Sequence, residues 1–180
     1  MSTAPAVRQA RPADAARIGT VHAQAWREAY AGLLPAAEIA QWTAAKRVAM
    51  WRRVIATGIA RGVYVAELNR EIIGFGACAD QRSPDLAAQG FKGEVTALYV
   101  LQSGQRSGAG RALMAAMARR LIAEGDRAMA LWVLAANAPA RRFYEALGGR
   151  AVATHRRPDL AADEVAYGWD NLEVLASRSG

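Results

Sequence analysis

The sequence contains one cysteine and two histidines in 180 residues, so few of its side chains suit disulfides or transition metals. Cys78 has no second cysteine to pair with, which excludes an internal disulfide. It lies in an apolar run, 74–79, which is typical of a small core residue rather than a nucleophile. His22 and His155 belong to no Cys/His/carboxylate cluster with zinc-ligand spacing, so we expect no metal site.

Long apolar runs are also missing. No stretch approaches the roughly 20 apolar residues that a membrane-spanning helix needs. Residues 1–13 lack the apolar centre of a signal peptide, so we expect a cytoplasmic protein with no membrane partner. The composition, with 53% hydrophobic and 22% charged residues, is typical of a globular chain. The length predicts one domain over 1–180, with its core at about 6–170.

Lysine is scarce as well, because Lys46 and Lys92 are the only lysines among 23 basic residues. The formal net charge is +7, yet the arginines form no run of five or more like that of a nucleic-acid-binding tail. Either the composition simply favours arginine and alanine, or part of the charge attracts a polyanionic ligand. A nucleic-acid-binding surface needs clustered charge or stacking aromatics, so we expect no nucleic-acid partner.

Periodicity and turn residues predict one mixed sheet with helices packed against it. The predicted strands are 6–11, 63–68, 71–79, 93–101, 129–134, 150–155 and 164–169. The predicted helices run from an Asp14 N-cap to about Tyr30, over 36–57, over about 111–124 and over 137–147. Residues 80–92 are expected to form a loop, and the polar tail after Asp170 is expected to be loose.

A glycine-rich turn follows the strand predicted at 93–101. The first amides of the helix after it have no intrahelical partner and lie at the positive end of the helix dipole. Gly108 and Gly110 allow a ligand close to the backbone, and Arg106 and Arg111 add charge, so the turn suits a pyrophosphate. The alternative is an ordinary turn that needs glycine for its backbone angles. A dinucleotide fingerprint would need a third glycine, and a Walker A loop would need Gly-Lys-Ser/Thr.

The turn resembles the acetyl-CoA loop of the GNAT superfamily of N-acetyltransferases, Gln/Arg-x-x-Gly-x-Gly/Ala, at Gln105, Gly108 and Gly110. Residues 98–100 are similar to the end of the cofactor-binding strand in that family. The resemblance implies a single-domain GNAT-like α/β fold, with a mixed, mostly antiparallel sheet flanked by helices.

Two further segments carry the resemblance. Asn137 and the Phe-Tyr-Glu of 143–145, followed by Gly148, are similar to the next conserved block of the family. The segment 26–35, W-x-x-x-Y-x-G-L-x-P, is similar to one that is common in a broad bacterial branch. The resemblance therefore spans about Val7 to Trp169.

The resemblance implies acetyl-CoA as co-substrate, no metal, and direct transfer of the acetyl group to a primary amine of a small molecule or peptide. A homodimer is possible, because dimers are common in the family. The implied cofactor-binding residues are Leu98, Val100, Gln105, Arg106, Ser107, Gly108, Ala109, Gly110, Arg111 and Asn137. Backbone amides of the 98–100 strand would contact the acetyl carbonyl and the pantetheine arm, although Leu98 and Val100 could also be core residues.

Two residues are the candidate catalytic groups. Tyr144 matches the general acid of the family, which protonates the CoA thiolate; otherwise it is a helix tyrosine that packs beside Phe143. Glu94 is the candidate base, directly or through a water, because an acidic residue on this strand often serves in the family. Strand alternation predicts that Glu94, Thr96 and Leu98 share one face; otherwise Glu94 is an exposed strand carboxylate.

Other site residues keep two interpretations. Asn137 could bind a pantetheine amide, or it could be the N-cap of the helix that Pro139 starts. Trp26 and Tyr30, four residues apart, could line the acceptor pocket or form a core stripe. At the level of the whole protein, the alternative to the enzyme is a non-catalytic acyl-CoA-binding regulator with the same fold.

Overall fold

Seven strands form one sheet in the computed structural model, which describes residues 4–177. The strands are β1 (Ala6–Gln9), β2 (Gly62–Leu68), β3 (Glu71–Asp80), β4 (Gly93–Val100), β5 (Met129–Leu134), β6 (Arg150–Arg157) and β7 (Ala162–Trp169). Their order is β1-β2-β3-β4-β5-β7-β6, and every neighbouring pair is antiparallel except β4 and β5. This arrangement confirms the predicted mixed, mostly antiparallel sheet.

Helices cover both faces of the sheet. They are α1 (Ala15–Tyr30), α2 (Ala36–Ala40), α3 (Ala44–Thr57), α4 (Pro84–Ala88), α5 (Ala109–Ala123), α6 (Ala138–Ala146) and α7 (Leu172–Ala176). On one face, α1 and α3 pack on β2 and β3 through apolar side chains such as Ile18, Trp51 and Phe75. On the other face, α5 buries Met117 and Leu121 against β4 and β5.

The sheet opens between its two parallel strands. β4 and β5 pair only at Gly93 with Met129 and at Glu94 with Ala130, so they diverge from there towards the end of β4. The other edge of β4 pairs with β3 from Gly93 to Val100. From Val95 onwards, β4 therefore has one edge in the ladder and one edge that faces a cleft.

The helix predicted over 36–57 is two helices. α2 ends at Ala40, and α3 begins at Ala44, where the Thr43 hydroxyl accepts a hydrogen bond from the Lys46 amide at 3.3 Å. A threonine N-cap starts a new helix because it satisfies an amide that has no intrahelical partner. The single range predicted for this helix was therefore wrong, and Thr43 was the signal in the sequence that could have corrected it.

Further differences from the prediction concern residues 80–92, the tail after Asp170 and the start of α5. The loop expected at 80–92 contains α4, which Ser83 caps at the Leu86 amide, 3.5 Å away. Within the tail after Asp170, residues 172–176 are not loose, because they form α7, which packs on α5 and buries Leu172 and Leu175. Helix α5 begins at Ala109, two residues before the predicted start, since Gly108 already occupies the N-cap.

The predicted common face of Glu94, Thr96 and Leu98 is wrong. The β3–β4 register shifts between Ala77 and Cys78, which leaves Thr96 as the extra residue of a β-bulge. A bulge interrupts the alternation of side chains. Leu98 consequently packs on the α5 face, whereas Glu94 lies on the α1 face.

The expectation that Cys78 is a core residue is met. Cys78 is fully buried, and burial raises the pKa of its thiol to about 11, which confirms the interpretation as a core residue. The turn at Asn69 and Arg70 has φ values of +51° and +67°, as expected for a tight hairpin connection between β2 and β3.

Candidate active site

The glycine-rich turn places the start of α5 at the mouth of the cleft. Gly108 has φ +92° at the N-cap, a conformation that favours glycine, and a Cβ there would meet no atom within 4 Å. The space above the turn is thus open to a ligand. Ser107 closes the turn by donating its hydroxyl hydrogen to the Gly104 carbonyl at 2.6 Å. Arg106 and Arg111 are exposed beside it and add positive charge.

Gly110 serves a different purpose in the same turn. A Cβ on Gly110 would lie 3.0 Å from the Phe143 ring, so the absence of a side chain lets α5 and α6 approach closely. Ala109 is buried against Leu98 and Val100 of β4. One glycine therefore leaves the space above the turn open, and the other brings α6, which carries Tyr144, against α5.

The free edge of β4 presents backbone donors to the cleft. The Leu101 amide donates to the Ile73 carbonyl of β3 at 2.9 Å. Successive amides of a strand point to alternate edges, so the N–H groups of Leu98 and Val100 point away from β3. Their side chains meanwhile pack against α5, which means that the two interpretations of these residues are compatible.

Gln105 follows β4 and Asn137 follows β5, so they lie on the two sides of the cleft. The side-chain Nε2 of Gln105 donates to the Val100 carbonyl at 3.4 Å and so connects the turn to the end of β4. The Asn137 Oδ1 accepts from the Ala140 amide at 3.2 Å, which makes Asn137 the N-cap of α6. Capping occupies only the oxygen, so the NH₂ group of the same side chain remains a donor for a ligand.

Tyr144 lies in α6 and is 8% exposed. Its ring packs against Phe143, Tyr167 and Trp169, with centroids 5.4, 6.0 and 6.0 Å away. Burial, and then the neighbouring Tyr30, raise the pKa of the Tyr144 hydroxyl above its ordinary value. The hydroxyl is therefore a proton donor throughout the neutral pH range.

A cavity of about 820 Å³ lies on the α1 face of the sheet, below the open edge of β4. Trp26 and Tyr30 both line it, and their rings are 4.4 Å apart. Tyr30 interacts electrostatically with Tyr99 of β4, and Tyr99 also lines the cavity. Trp26 and Tyr30 are each partly buried, and each contributes to the wall of this cavity.

Glu94 lies in the wall of this cavity and is 3% exposed, so it is not a surface carboxylate. Arg82 holds it with three hydrogen bonds. Its backbone amide and Nε donate to Oε2, each at 3.0 Å, and its Nη2 donates to Oε1 at 2.6 Å. Oε1 accepts one of these bonds and Oε2 accepts two, so Oε1 keeps a lone pair for a water or a substrate. Arg82 itself was not singled out in the sequence.

Two further residues of the cavity wall, Arg47 and His22, were not predicted as site residues. Arg47 of α3 is buried between the rings of Trp26 and Trp42. His22 accepts a hydrogen bond at Nδ1 from the Trp51 indole at 2.9 Å. Burial and the Arg47 charge lower the pKa of His22 to about 3, so its imidazole is neutral at physiological pH.

On the opposite side of the cavity, His155 stacks on Trp132 at 4.0 Å and is 2.9 Å from the Glu164 carboxylate. A signal for Arg47 and His22 was available in the sequence. Arg47 is four residues from Trp51, and His22 is four from Ile18 and from Trp26, so both polar residues fall on the buried stripes of their helices.

Between residues 4 and 177, no group of three or more His, Cys, Asp or Glu side chains is arranged to hold a metal ion. Within the same part of the chain, no helix is long and apolar enough to cross a membrane.

Comparison with known proteins identifies relatives along nearly the whole chain. The sequence profile described as Acetyltransferase (GNAT) family matches residues 23–149. The uncharacterised N-acetyltransferase YuaI of Bacillus subtilis (strain 168) is 31% identical over 172 residues, which covers 94% of this chain and 95% of that protein.

Solved structures share the fold at lower sequence identity. The crystal structure of a GNAT-family protein from Desulfovibrio desulfuricans gives a TM-score of 0.70 at 22% identity, covering 94% of this chain and 99% of that one. The structure of yncA from Salmonella typhimurium with its cofactor acetyl-CoA gives 0.69 at 22% identity, covering 94% and 95%. The paia N-acetyltransferase of Thermoplasma acidophilum, in complex with coenzyme A, gives 0.69 at 16% identity, covering 93% and 100%.

Proposed function

Because the chain belongs to the GNAT family of acetyltransferases, we propose that it transfers an acetyl group from acetyl-CoA directly to a primary amine of a small molecule or peptide. The observation that carries this proposal is one cleft with three kinds of group around it. An open helix N-terminus follows β4, unpaired amides lie along the free edge of β4, and a buried, protonated tyrosine lies in α6, the helix that follows β5. Together they match the needs of acyl transfer from a thioester.

The pyrophosphate of acetyl-CoA would bind at the turn from Gln105 to Arg111. The positive end of α5 and its first amides favour an anion, and the open side of Gly108 lets the phosphates approach the backbone. Arg106 and Arg111 would add charge from the rim. The two structural relatives that contain acetyl-CoA and coenzyme A support a CoA thioester as the cofactor of this fold.

The pantetheine arm and the acetyl group would extend along the free edge of β4. The Leu98 and Val100 N–H groups would bond the pantetheine and the acetyl carbonyl oxygen, and they would stabilise the negative charge that develops on that oxygen. The free NH₂ of Asn137 would reach the cofactor from α6.

The acceptor amine would enter through the cavity between Trp26, Tyr30 and Tyr99. An amine attacks only after it loses a proton, and Glu94 would take that proton through a water bound at Oε1. Arg82 would act as a positioning residue, because its hydrogen bonds fix the orientation of the Glu94 carboxylate.

The amine nitrogen would then form a bond to the acetyl carbon while the carbonyl π electrons move to oxygen, and the attacking nitrogen would lose its extra proton to solvent. As the carbonyl forms again, the carbon–sulfur bond of the tetrahedral intermediate would break. The electron pair of that bond leaves with the sulfur as a CoA thiolate. Tyr144 would donate its hydroxyl proton to the thiolate, which releases CoA as a thiol. Protons from solvent would then restore the tyrosine.

The test combines cofactor binding with turnover. Acetyl-CoA affinity is measured by calorimetry, and thiol release is followed with a panel of amino acids, polyamines, aminoglycosides and peptides. We expect acetyl-CoA to bind and at least one amine to release CoA with formation of its N-acetyl product. Tight binding without release for any amine would instead support a non-catalytic acyl-CoA-binding regulator.

A further inference from the structure

Arg47 is a buried cation without an anionic partner. It is 6% exposed, and its guanidinium carbon lies 4.8 Å from the Trp26 ring centroid and 4.2 Å from that of Trp42. No carboxylate between residues 4 and 177 forms an ion pair with it, in contrast to Arg82 and Arg157, which share the cavity and are both paired. A buried charge without a partner is costly, so such a charge is expected to serve a ligand.

The surroundings of Arg47 contain hydrogen-bond donors that lack acceptors. The Arg47 Nε, the His22 Nε2 and the Trp26 Nε1 are all buried, and none of them has a hydrogen-bond partner among residues 4–177. His22 accepts at Nδ1 from Trp51, so its proton is on Nε2 and this nitrogen is a donor. Three donors beside a cation are complementary to a ligand group that only accepts hydrogen bonds, such as a carboxylate.

This corner lies close to the proposed reaction centre. The Arg47 guanidinium carbon lies 4.8 Å from the Trp26 ring centroid, and the Trp26 ring lies 6.3 Å from the ring of Tyr99, which stands between Leu98 and Val100 on β4. A molecule bound at Arg47 would therefore need only a short connection between its anionic group and its amine. The rings of Trp26, Tyr30 and Tyr99 would contact the apolar part of that molecule.

We propose that Arg47 binds the carboxylate of the acceptor, and that the acceptor is a small primary amine that carries a carboxylate, as an amino acid does. This inference rests on the proposed acetyl transfer and adds the substrate class. Arg47 is a substrate-binding residue in this scheme, with the aromatic rings of Trp26 and Trp42 holding its guanidinium plane in position.

The experiment compares acceptors that differ only at the carboxylate. Leucine and phenylalanine are assayed against leucinamide and phenylalaninamide, and against the amines that lack the carboxyl group altogether. An amino amide has a less basic amine than the amino acid, and more of it is free at neutral pH. A preference for the acid cannot then arise from amine reactivity. We expect kcat/KM for the acid to exceed that for the amide on the order of 100-fold.

Variants assign the preference to Arg47. Arg47→Gln should reduce the acid-to-amide ratio to about one, and Arg47→Lys should retain part of it, because lysine keeps the charge but not the planar fork. Arg52→Gln is the matched control: it removes one exposed arginine from the same helix, outside the cavity, and should leave the ratio unchanged. Thermal unfolding of each variant checks the fold. If Arg47→Gln does not fold, Arg47→Lys decides: an acid-to-amide ratio below that of the original protein supports the proposal, and an unchanged ratio contradicts it.

The possible outcomes separate the two proposals. If amines turn over but the acid and amide are equal, or if the best acceptor of the wider panel has no carboxylate, the inference about Arg47 is wrong and the acetyltransferase proposal stands. If no amine releases CoA, the proposed function fails. Calorimetry of leucine and leucinamide with CoA present then tests Arg47 separately, and equal affinities, or affinities unaffected by Arg47→Gln, would overturn it.

Discussion

Replacing Tyr144 with phenylalanine isolates one hydroxyl from an otherwise preserved site. The ring contacts with Phe143, Tyr167 and Trp169 do not involve the hydroxyl oxygen, and burial and Tyr30 are what determine its protonation. We therefore expect the free energy of unfolding of Tyr144→Phe to stay within about 1 kcal/mol of the original value. Acetyl-CoA affinity should also change little, since the proposed role begins only when the thiolate leaves.

The expected loss is in turnover. A positioned general acid contributes about 10²–10⁴-fold to a rate, and the lower end corresponds to about 2.7 kcal/mol of the barrier. Because the pKa of Tyr144 is raised above the ordinary tyrosine value of 10.0, its hydroxyl stays protonated at any pH below 10.0. Loss of this proton should therefore not lower kcat in that pH range. The remaining activity of Tyr144→Phe should rely on protonation of the thiolate by water.

The assay is single-turnover acetylation with the preferred amine, which measures chemistry without product release. Tyr64→Phe is the control, because it removes the hydroxyl of a half-buried tyrosine on β2 that lies outside the cavity wall. Equal single-turnover rates for Tyr144→Phe and the original protein would refute the acid role. So would a rate loss that is matched by Tyr64→Phe.

Three further changes test other parts of the scheme. Glu94→Gln should lower kcat near neutral pH and recover part of it at alkaline pH, where the amine is free without help; overlapping pH–rate profiles would contradict the base role. Gly108→Asp should weaken acetyl-CoA binding at least about tenfold by calorimetry, whereas Gly125→Asp, with a similar positive φ and equally open space at the other end of α5, should not. Leu175→Ala should cost about 2–5 kcal/mol in urea unfolding because Leu175 is fully buried, and the exposed Val174 should tolerate the same change; equal effects would count against the packing of α7.

The parts of the fold that were predictable are those that local sequence determines. The strand at Met129–Leu134 is uniformly apolar, and its bounds were predicted without error. The glycine-rich turn was recognisable because its backbone angles require glycine at Gly108. The N-cap role of Asn137 was likewise visible, because capping depends on only a few neighbouring residues.

The parts that were missed depend on pairing between distant residues. The bulge at Thr96 arises from the register with β3, and no period within β4 reveals it. The partner of Glu94 is Arg82, which precedes α4 in a segment that was expected to be a loop. The surroundings of Arg47 depend on three helices that are separate in sequence. Trp26 lies in α1, Trp42 lies between α2 and α3, and Arg47 itself lies in α3.

The divergence of β4 and β5 also determines where the backbone exchanges its amide hydrogens with solvent. Amides of β4 that bond to β3, such as Tyr99, belong to a continuous ladder and should exchange slowly. The Leu98 and Val100 amides face the cleft and should exchange quickly until a ligand occupies that edge. A bound cofactor would in effect take the place of a strand. The sheet would therefore gain local stability where it carries out its chemistry, in proportion to how tightly that cofactor binds.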